Sequence, residues 1–246
     1  MILILGSHQD DVLYCASLLN NRTTDMLFGR FPVQKGTIFN QEVMLVSGVH
    51  TALLSSSIIS HLLSQYYVNL IFVLGKCFSV NGSFKQGDII ISKDIFNLDV
   101  DQIDVANTML GQVPGLPAIY RVQKDVIGYV NDGFSRRTHA SANVATFLCT
   151  DNLFGPSVDK LMETKMVRGD MGPFALDSVS YGVALGGLLY DVPVICVKAV
   201  ERDLKDRKSV EAYITALDTY VDIGKAVVYA IGDIGRSDVL RVRRGQ

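Results

Sequence analysis

The chain opens with Met1-Ile2-Leu3-Ile4-Leu5-Gly6-Ser7-His8-Gln9-Asp10-Asp11, an apolar run that stops at a glycine and passes directly into a polar, doubly acidic segment. Consecutive apolar residues without alternation are what a strand covered on both faces requires, and in open α/β sheets ligands sit just beyond the carboxyl ends of such strands. The pattern returns along the chain. Asn69–Leu74 runs into Gly75-Lys76-Cys77, Phe174-Ala175-Leu176 meets Asp177, and Val194–Val200 meets Glu201-Arg202-Asp203. Polar groups delivered together at strand ends predict one shared pocket.

Outward from these strands, apolar spacing predicts helices over Asp11–Asn20, from Gly48 to about Gln65, over Val126–Arg136 and Gly182–Leu189, and from roughly Val210 to Ile231. Short strands are expected at Met26–Phe31, Gly36–Phe39, Glu42–Ser47, Asp88–Ser92 and Val144–Cys149. Strands alternating with helices imply a mostly parallel, helix-covered sheet. Phe96–Ala118 holds two prolines and little periodicity, and irregular chain of that length inside a domain is usually functional.

The 246 residues suit one large domain, 1–246, because no linker, repeat or long charge run divides them. A formal net charge of −2 gives no electrostatic footprint for nucleic acid. The basic stretch Arg241-Val242-Arg243-Arg244 reads as a solvated terminus. Met1–Leu5 has no basic segment before it, so no export leader is expected. Tyr181–Val200 is broken by Asp191 and Pro193 and reads as helix, turn and strand, not as a membrane span. Cys15, Cys77, Cys149 and Cys196 are widely spaced in apolar surroundings. That favours reduced, buried thiols in a cytoplasmic protein over disulfides or a zinc site, and no metal or cofactor is expected.

The order and spacing of several motifs resemble the nucleoside phosphorylase/nucleosidase superfamily, in particular the methylthioadenosine/S-adenosylhomocysteine nucleosidases. Leu5–Val12 resembles the family's opening strand, glycine and acidic triplet, and Ser47-Gly48-Val49 its Ser-Gly-Ile turn. Lys85-Gln86-Gly87-Asp88-Ile89-Ile90-Ile91-Ser92 resembles its Gly-Asp-Ile/Val-Val-Val-Ser strand. Gly111-Gln112-Val113-Pro114-Gly115-Leu116-Pro117 is similar to a loop that reaches into a partner subunit's pocket, and Val192-Pro193 opens a strand like the family's penultimate core strand. The resemblance implies an α/β three-layer sandwich with a central mixed, mostly parallel sheet flanked by helices. It also implies a homodimer whose small-molecule partner is a purine nucleoside.

The catalytic positions depart from the family's pattern. Where a glutamate activates water in the family, Asp11 stands here, one methylene shorter, and it serves equally well as a helix cap. The carboxylate that holds the ribose hydroxyls is matched by Asp177, which serves equally well as a helix cap, although ungapped counting from Val192-Pro193 places Val179 there. The acid for the purine's N7 is matched by Asp203 if one residue is inserted, and by Arg202 if none is. An aspartate suits adenine, whereas an arginine or lysine suits a 6-oxopurine.

Lys76-Cys77-Phe78 replaces a small Ser-Ala-Gly, so Lys76 either contacts a substrate oxygen or snorkels from a loop, and Phe78 either stacks on a base or joins the core. Leu153 and Phe154 match a segment that flanks the base, and Val49 and Pro114, in the turn and loop just quoted, are expected with Cys77 to contact the substrate. His8 replaces an apolar residue of the pocket and either lines its sugar and 5′ side or faces solvent.

Breaking an N-glycosidic bond passes through an oxocarbenium-like sugar and an electron-rich leaving purine. It therefore needs a base for water, acceptors for the ribose hydroxyls and an acid for the purine. The opening loop lacks the Gly-Asp-Pro and arginine pattern with which phosphorylases hold phosphate, which favours hydrolysis, while Lys76 argues the other way. Methylthioadenosine, S-adenosylhomocysteine, 5′-deoxyadenosine and futalosine, on the menaquinone route, fit the expected 5′-substituted class. The alternatives are a phosphate-dependent phosphorylase and a catalytically silent nucleoside-binding relative.

Overall fold

A computed structural model describes residues 1–153, 173–205 and 217–236. The expected roles of Phe154, the basic residues 241–244 and the first turns of the C-terminal helix lie outside the described residues.

The opening run forms strand β1 (Ile2–Gly6), buried along its whole length. It pairs in parallel with β4 (Gln41–Ser47) on one side and β5 (Leu70–Ser79) on the other. Because side chains alternate across a strand, Leu3 and Leu5 join one core and Ile2 and Ile4 the other. On the first face, helix α2 (Ala52–Gln65) contributes Ile58, Ile59, Leu62 and Leu63. Val12, Cys15 and Ala16 of helix α1 (Gln9–Ser17) cover the second face. Each fully buried Leu or Ile stabilises by about 1.5–3 kcal/mol, so a one-residue slip of β1, which would exchange the two sets, is strongly disfavoured.

Strands β2 (Asn20–Leu27) and β3 (Phe31–Ile38) extend the sheet as an antiparallel meander beside β4. The turn between them holds Phe28 and Gly29 at positive φ, so Met26–Phe31 is not one strand as expected but the end of β2, a turn and the start of β3. β2, with the sequence Asn-Asn-Arg-Thr-Thr-Asp-Met-Leu, is exposed over seven of its eight residues. An exposed edge strand leaves no hydrophobic alternation to read.

The remaining strands are β6 (Ile89–Asn97), β7 (Ile119–Arg121), β8 (Ala142–Cys149), β9 (Phe174–Asp177) and β10 (Val194–Asp203). They correct the expectation of a plain three-layer sandwich with a mostly parallel sheet. β5 pairs with β10, β10 with β6, β6 with β8, β8 with β9, and β9 returns to β5, so five strands close into a barrel from which β1, β4, β3 and β2 continue as a sheet. Parallel and antiparallel pairings are equally represented among the described strands.

Closure depends on β5, which bonds β1 through Leu70–Leu74 and β9 through Phe78 and Ser79 along one edge, and β10 along the other. Register shifts between Ser92 and Asp94 and between Val200 and Arg202 add the local twist that curls the sheet.

Helix α3 (Ile103–Ala106) is a single turn within the irregular segment before β7. Helix α4 (Lys124–Arg137) and α1 pack on α6 (Leu217–Arg236), and α5 (Ser180–Leu189) packs on α2. The α2–α5 contact requires Gly182, where a Cβ would fall 2.0 Å from the Ala52 carbonyl oxygen. No helix among the described residues is long and apolar enough to cross a membrane.

Candidate active site

Three of the quoted strand ends converge. β5, β9 and β10 deliver Lys76 and Phe78, Asp177, and Lys198 and Glu201, respectively, to a cleft of about 160 Å³. Ser7 and His8 after β1, and His50 before α2, close one side, and Leu153, Ser178 and Val179 close the other. A larger groove of about 530 Å³ between Pro117–Arg121 and α5 is lined largely by apolar residues and carries no carboxylate, so the strand-end carboxylates Asp177 and Glu201 single out the smaller cleft as the candidate site.

Asp11 lies just behind the cleft wall. Its carboxylate accepts from the His8 amide at 2.7 Å, which caps α1. It also rests on Gly75, whose φ of +137° and missing Cβ make the approach possible; a Cβ there would stand 3.0 Å from Asp11 Oδ2. Burial raises the Asp11 pKa above 3.8, against the opposing pull of the His8 amide, His8, Lys198 and Lys76. A carboxyl moved toward neutrality is better matched to general-base work at physiological pH.

Asp177 is held from two directions. Lys198 Nζ contacts Oδ2 directly, and Ser180 donates its hydroxyl to Oδ1 at 2.6 Å and its amide to both oxygens. Burial pulls the Lys198 pKa down, but the charge and hydrogen bond of Asp177, with Cys196 and Cys77 beside them, together outweigh it and hold the ammonium charged. The sequence reading missed Lys198. A lysine inside the apolar run Val194–Val200 was its signal, because a buried cation demands a carboxylate.

The ambiguity over Arg202 and Asp203 has a structural origin. Val200 lies opposite Cys77 and Arg202 opposite Phe78, which leaves Glu201 as the extra residue of a β-bulge. Glu201 lines the cleft, whereas Arg202 and Asp203 do not. The Arg202 guanidinium lies 5.7 Å from the centre of the Phe78 ring. Both Asp203 carboxylate oxygens accept backbone amides, from Gly82 at 2.5 Å and Lys205 at 2.9 Å.

Strand alternation separates the Lys76-Cys77-Phe78 triplet. Lys76 and Phe78 face the cleft, whereas Cys77 is buried in the core with its thiol toward the Ala199 carbonyl. Val49 is likewise buried in the core, and Pro114 is exposed and outside the cleft lining. All four thiols are free and buried, and burial pushes those of Cys15 and Cys196 up to about 12. No group of three or more metal-binding side chains occurs among the described residues.

His8 does line the cleft, with its ring centre 5.1 Å from that of His50, a residue the sequence reading passed over. Burial, and then His8, lower the His50 pKa below 6.5. The far wall is knitted to the N-terminus of α2. Asp151 accepts from the amides of Ala52 at 2.6 Å and Leu53 at 3.2 Å, and Ser178 donates to the His50 carbonyl at 2.7 Å. These bonds place Leu153 and His50 on a common frame.

No protein-family model matches the chain. The 5′-methylthioadenosine/S-adenosylhomocysteine nucleosidase of Maridesulfovibrio salexigens is 22% identical over 214 residues, 85% of this chain and 89% of the relative. Its counterpart in Staphylococcus haemolyticus is 25% identical over 215 residues, with the same coverage of 85% and 89%.

Among solved structures, the nucleosidase of Neisseria meningitidis in complex with methylthio-immucillin-A superposes with a TM-score of 0.82 at 16% identity, covering 94% of this chain and 98% of that one. The enzyme of Colwellia psychrerythraea in complex with adenine gives a TM-score of 0.81 at 17% identity, covering 94% of both chains. At these identities the superpositions establish the fold.

Proposed function

We propose that this chain, a member of the nucleoside phosphorylase/nucleosidase superfamily, hydrolyses the N-glycosidic bond of a 5′-substituted purine nucleoside and releases the free base. What supports the reading is the Lys198–Asp177 pair in the cleft, with Asp11 buried just behind the cleft wall against Gly75 and within electrostatic reach of Lys198. Methylthioadenosine and S-adenosylhomocysteine, the substrates for which the relatives are named, are the first candidates.

In this reading Asp11 takes the proton of the attacking water. Asp177, held rigid by Lys198 and Ser180, keeps lone pairs for the ribose hydroxyls, and its negative charge stabilises the oxocarbenium-like sugar. The acid for the leaving base comes from the end of β10, Glu201–Asp203. Futalosine belongs in the same class, because Lys76 in the cleft offers a donor to a 6-oxo group. The assembly is a homodimer in a cytoplasmic setting, the latter in keeping with four unpaired thiols.

The test is chromatography of free base after incubation with methylthioadenosine, S-adenosylhomocysteine, 5′-deoxyadenosine, aminodeoxyfutalosine and futalosine, with and without phosphate. Base released without phosphate is expected. Release that depends on phosphate makes the protein a phosphorylase. No base from any compound at high enzyme concentration makes it a silent nucleoside-binding relative.

A further inference from the structure

We propose that Glu201 is the group that meets the leaving base, taking over in this chain the part that sequence counting gives to Asp203 or Arg202. The inference rests on the hydrolase reading and adds to it the residue that protonates the base and the kind of base it accepts.

Three observations converge on Glu201. Its position as the extra residue of the β10 bulge re-aims one side chain without disturbing the pairing on either side. The residue is only 7% exposed, yet it lines the cleft beside Phe78. Among the described residues nothing donates a hydrogen bond to its carboxylate, whereas Asp203 has each oxygen engaged by a backbone amide and Asp177 is held by Lys198 and Ser180. The Glu201 carboxylate oxygens are not sealed from solvent, so a donor on a ligand in the cleft can reach them where no protein donor competes.

The register of β10 on β5 sets the orientation of a nucleoside. Lys198 lies opposite Gly75, on which Asp11 rests, and Arg202 lies opposite Phe78. From Gly75 to Phe78 is three residues, about 10 Å of strand. A sugar over Asp11 and Asp177 therefore directs its base toward Phe78 and Glu201.

The proton and electron movements balance. As the C1′–N9 bond breaks, its electron pair passes to the base, and N7 takes the proton of the Glu201 carboxylic acid. The water oxygen bonds C1′ and its proton goes to Asp11. Exchange with solvent then removes the proton from Asp11 and replaces the one that Glu201 passed on, so that the net change is nucleoside plus water to base plus free sugar.

A carboxylic acid that donates to N7 presents its second oxygen to the purine's 6-position. A 6-amino group donates to that oxygen, whereas a 6-oxo group opposes it with lone pairs. Glu201 thus favours 6-aminopurines by roughly 10- to 100-fold over the matched 6-oxopurine nucleoside, the range for one orphaned polar contact, which ranks futalosine below methylthioadenosine even with Lys76 in the cleft.

The decisive experiment combines turnover with direct binding of adenine by calorimetry, using the parent, Glu201→Gln and Glu201→Ala, each checked for a cooperative melt. Glutamine keeps both hydrogen bonds to adenine but has no acidic proton. It should therefore hold adenine within a few-fold of the parent while kcat on methylthioadenosine falls by roughly a hundredfold or more. Alanine should weaken adenine binding at least about tenfold.

Parent-like turnover in Glu201→Gln, or parent-like adenine affinity in Glu201→Ala, overturns the proposal while base release by the parent still upholds the hydrolase reading. If the parent releases no base, the hydrolase reading fails by itself, and the adenine affinities decide whether Glu201 meets the base.

Discussion

The Lys198 ammonium and the Asp177 carboxylate touch in the interior, with side chains 1% and 2% exposed, where β10 passes the end of β9. Removing one partner of such a pair strands the other charge away from water, which costs about 3–5 kcal/mol, whereas removing both costs much less. Lys198→Met should therefore lower unfolding free energy by several kcal/mol in urea titrations, and Lys198→Met with Asp177→Asn should recover most of the loss. Additive losses in the double variant would show that the two residues act independently.

Asp11 predicts opposite effects on activity and stability. Its pKa is higher in the folded state than the ordinary 3.8, so its contribution to stability is fully present below that value and is lost as pH rises toward the folded pKa. Asp11→Asn removes this loss while its side-chain carbonyl can still accept from the His8 amide. The variant should melt higher than the parent at pH 7, the gap closing toward pH 4, and its turnover should fall by roughly a hundredfold or more. Thermal melts across this pH range, with initial rates at pH 7, check both. Turnover within about a factor of two of the parent removes Asp11 from the mechanism.

Asp151 caps α2 from a distant loop, accepting from Ala52 and Leu53, and that loop carries Leu153 onto the cleft wall. Loss of a capping carboxylate costs about 1 kcal/mol. Asp151→Ala should show that modest destabilisation together with a rise in KM larger than any fall in kcat, because the wall that receives substrate loosens while the reacting groups stay in place. A fall in kcat with KM unchanged would contradict this positioning role.

What the sequence made legible follows from what burial imposes. β1, β5 and β10 lie in apolar surroundings over most of their length, so their composition announces them, and the polar residues at their ends mark the cleft. β2 left no pattern because it is solvent-exposed. Barrel closure was illegible for another reason: it depends on which edges of β5 meet β9 and β10, a long-range choice with no local signature. The bulge at Glu201 is equally silent in sequence, and one extra residue there decides which of three polar side chains enters the cleft. Cys77 was misplaced because reading the Lys76–Phe78 triplet as a loop ignored the alternation of a strand.

The apolar groove beside the Gly111–Pro117 loop carries the expectation of a dimer. Ile119, Tyr120, Tyr181, Leu185 and Leu188 line it, while Met109 and Leu189 nearby remain 62% and 60% exposed. An apolar surface of this kind is uncomfortable in water, and a two-fold partner would cover it with the same residues from the other copy. Light scattering should give a dimer that persists on dilution into the micromolar range. Leu116→Asp and Leu188→Asp should each shift it toward monomer by placing an unpaired charge in the contact. Turnover should fall with the dimer fraction, because the 111–117 loop is expected to close the partner's 5′ pocket and not its own. A monodisperse monomer that turns over substrate at micromolar concentration would show that each subunit completes its own site, and the dimer proposal would fail.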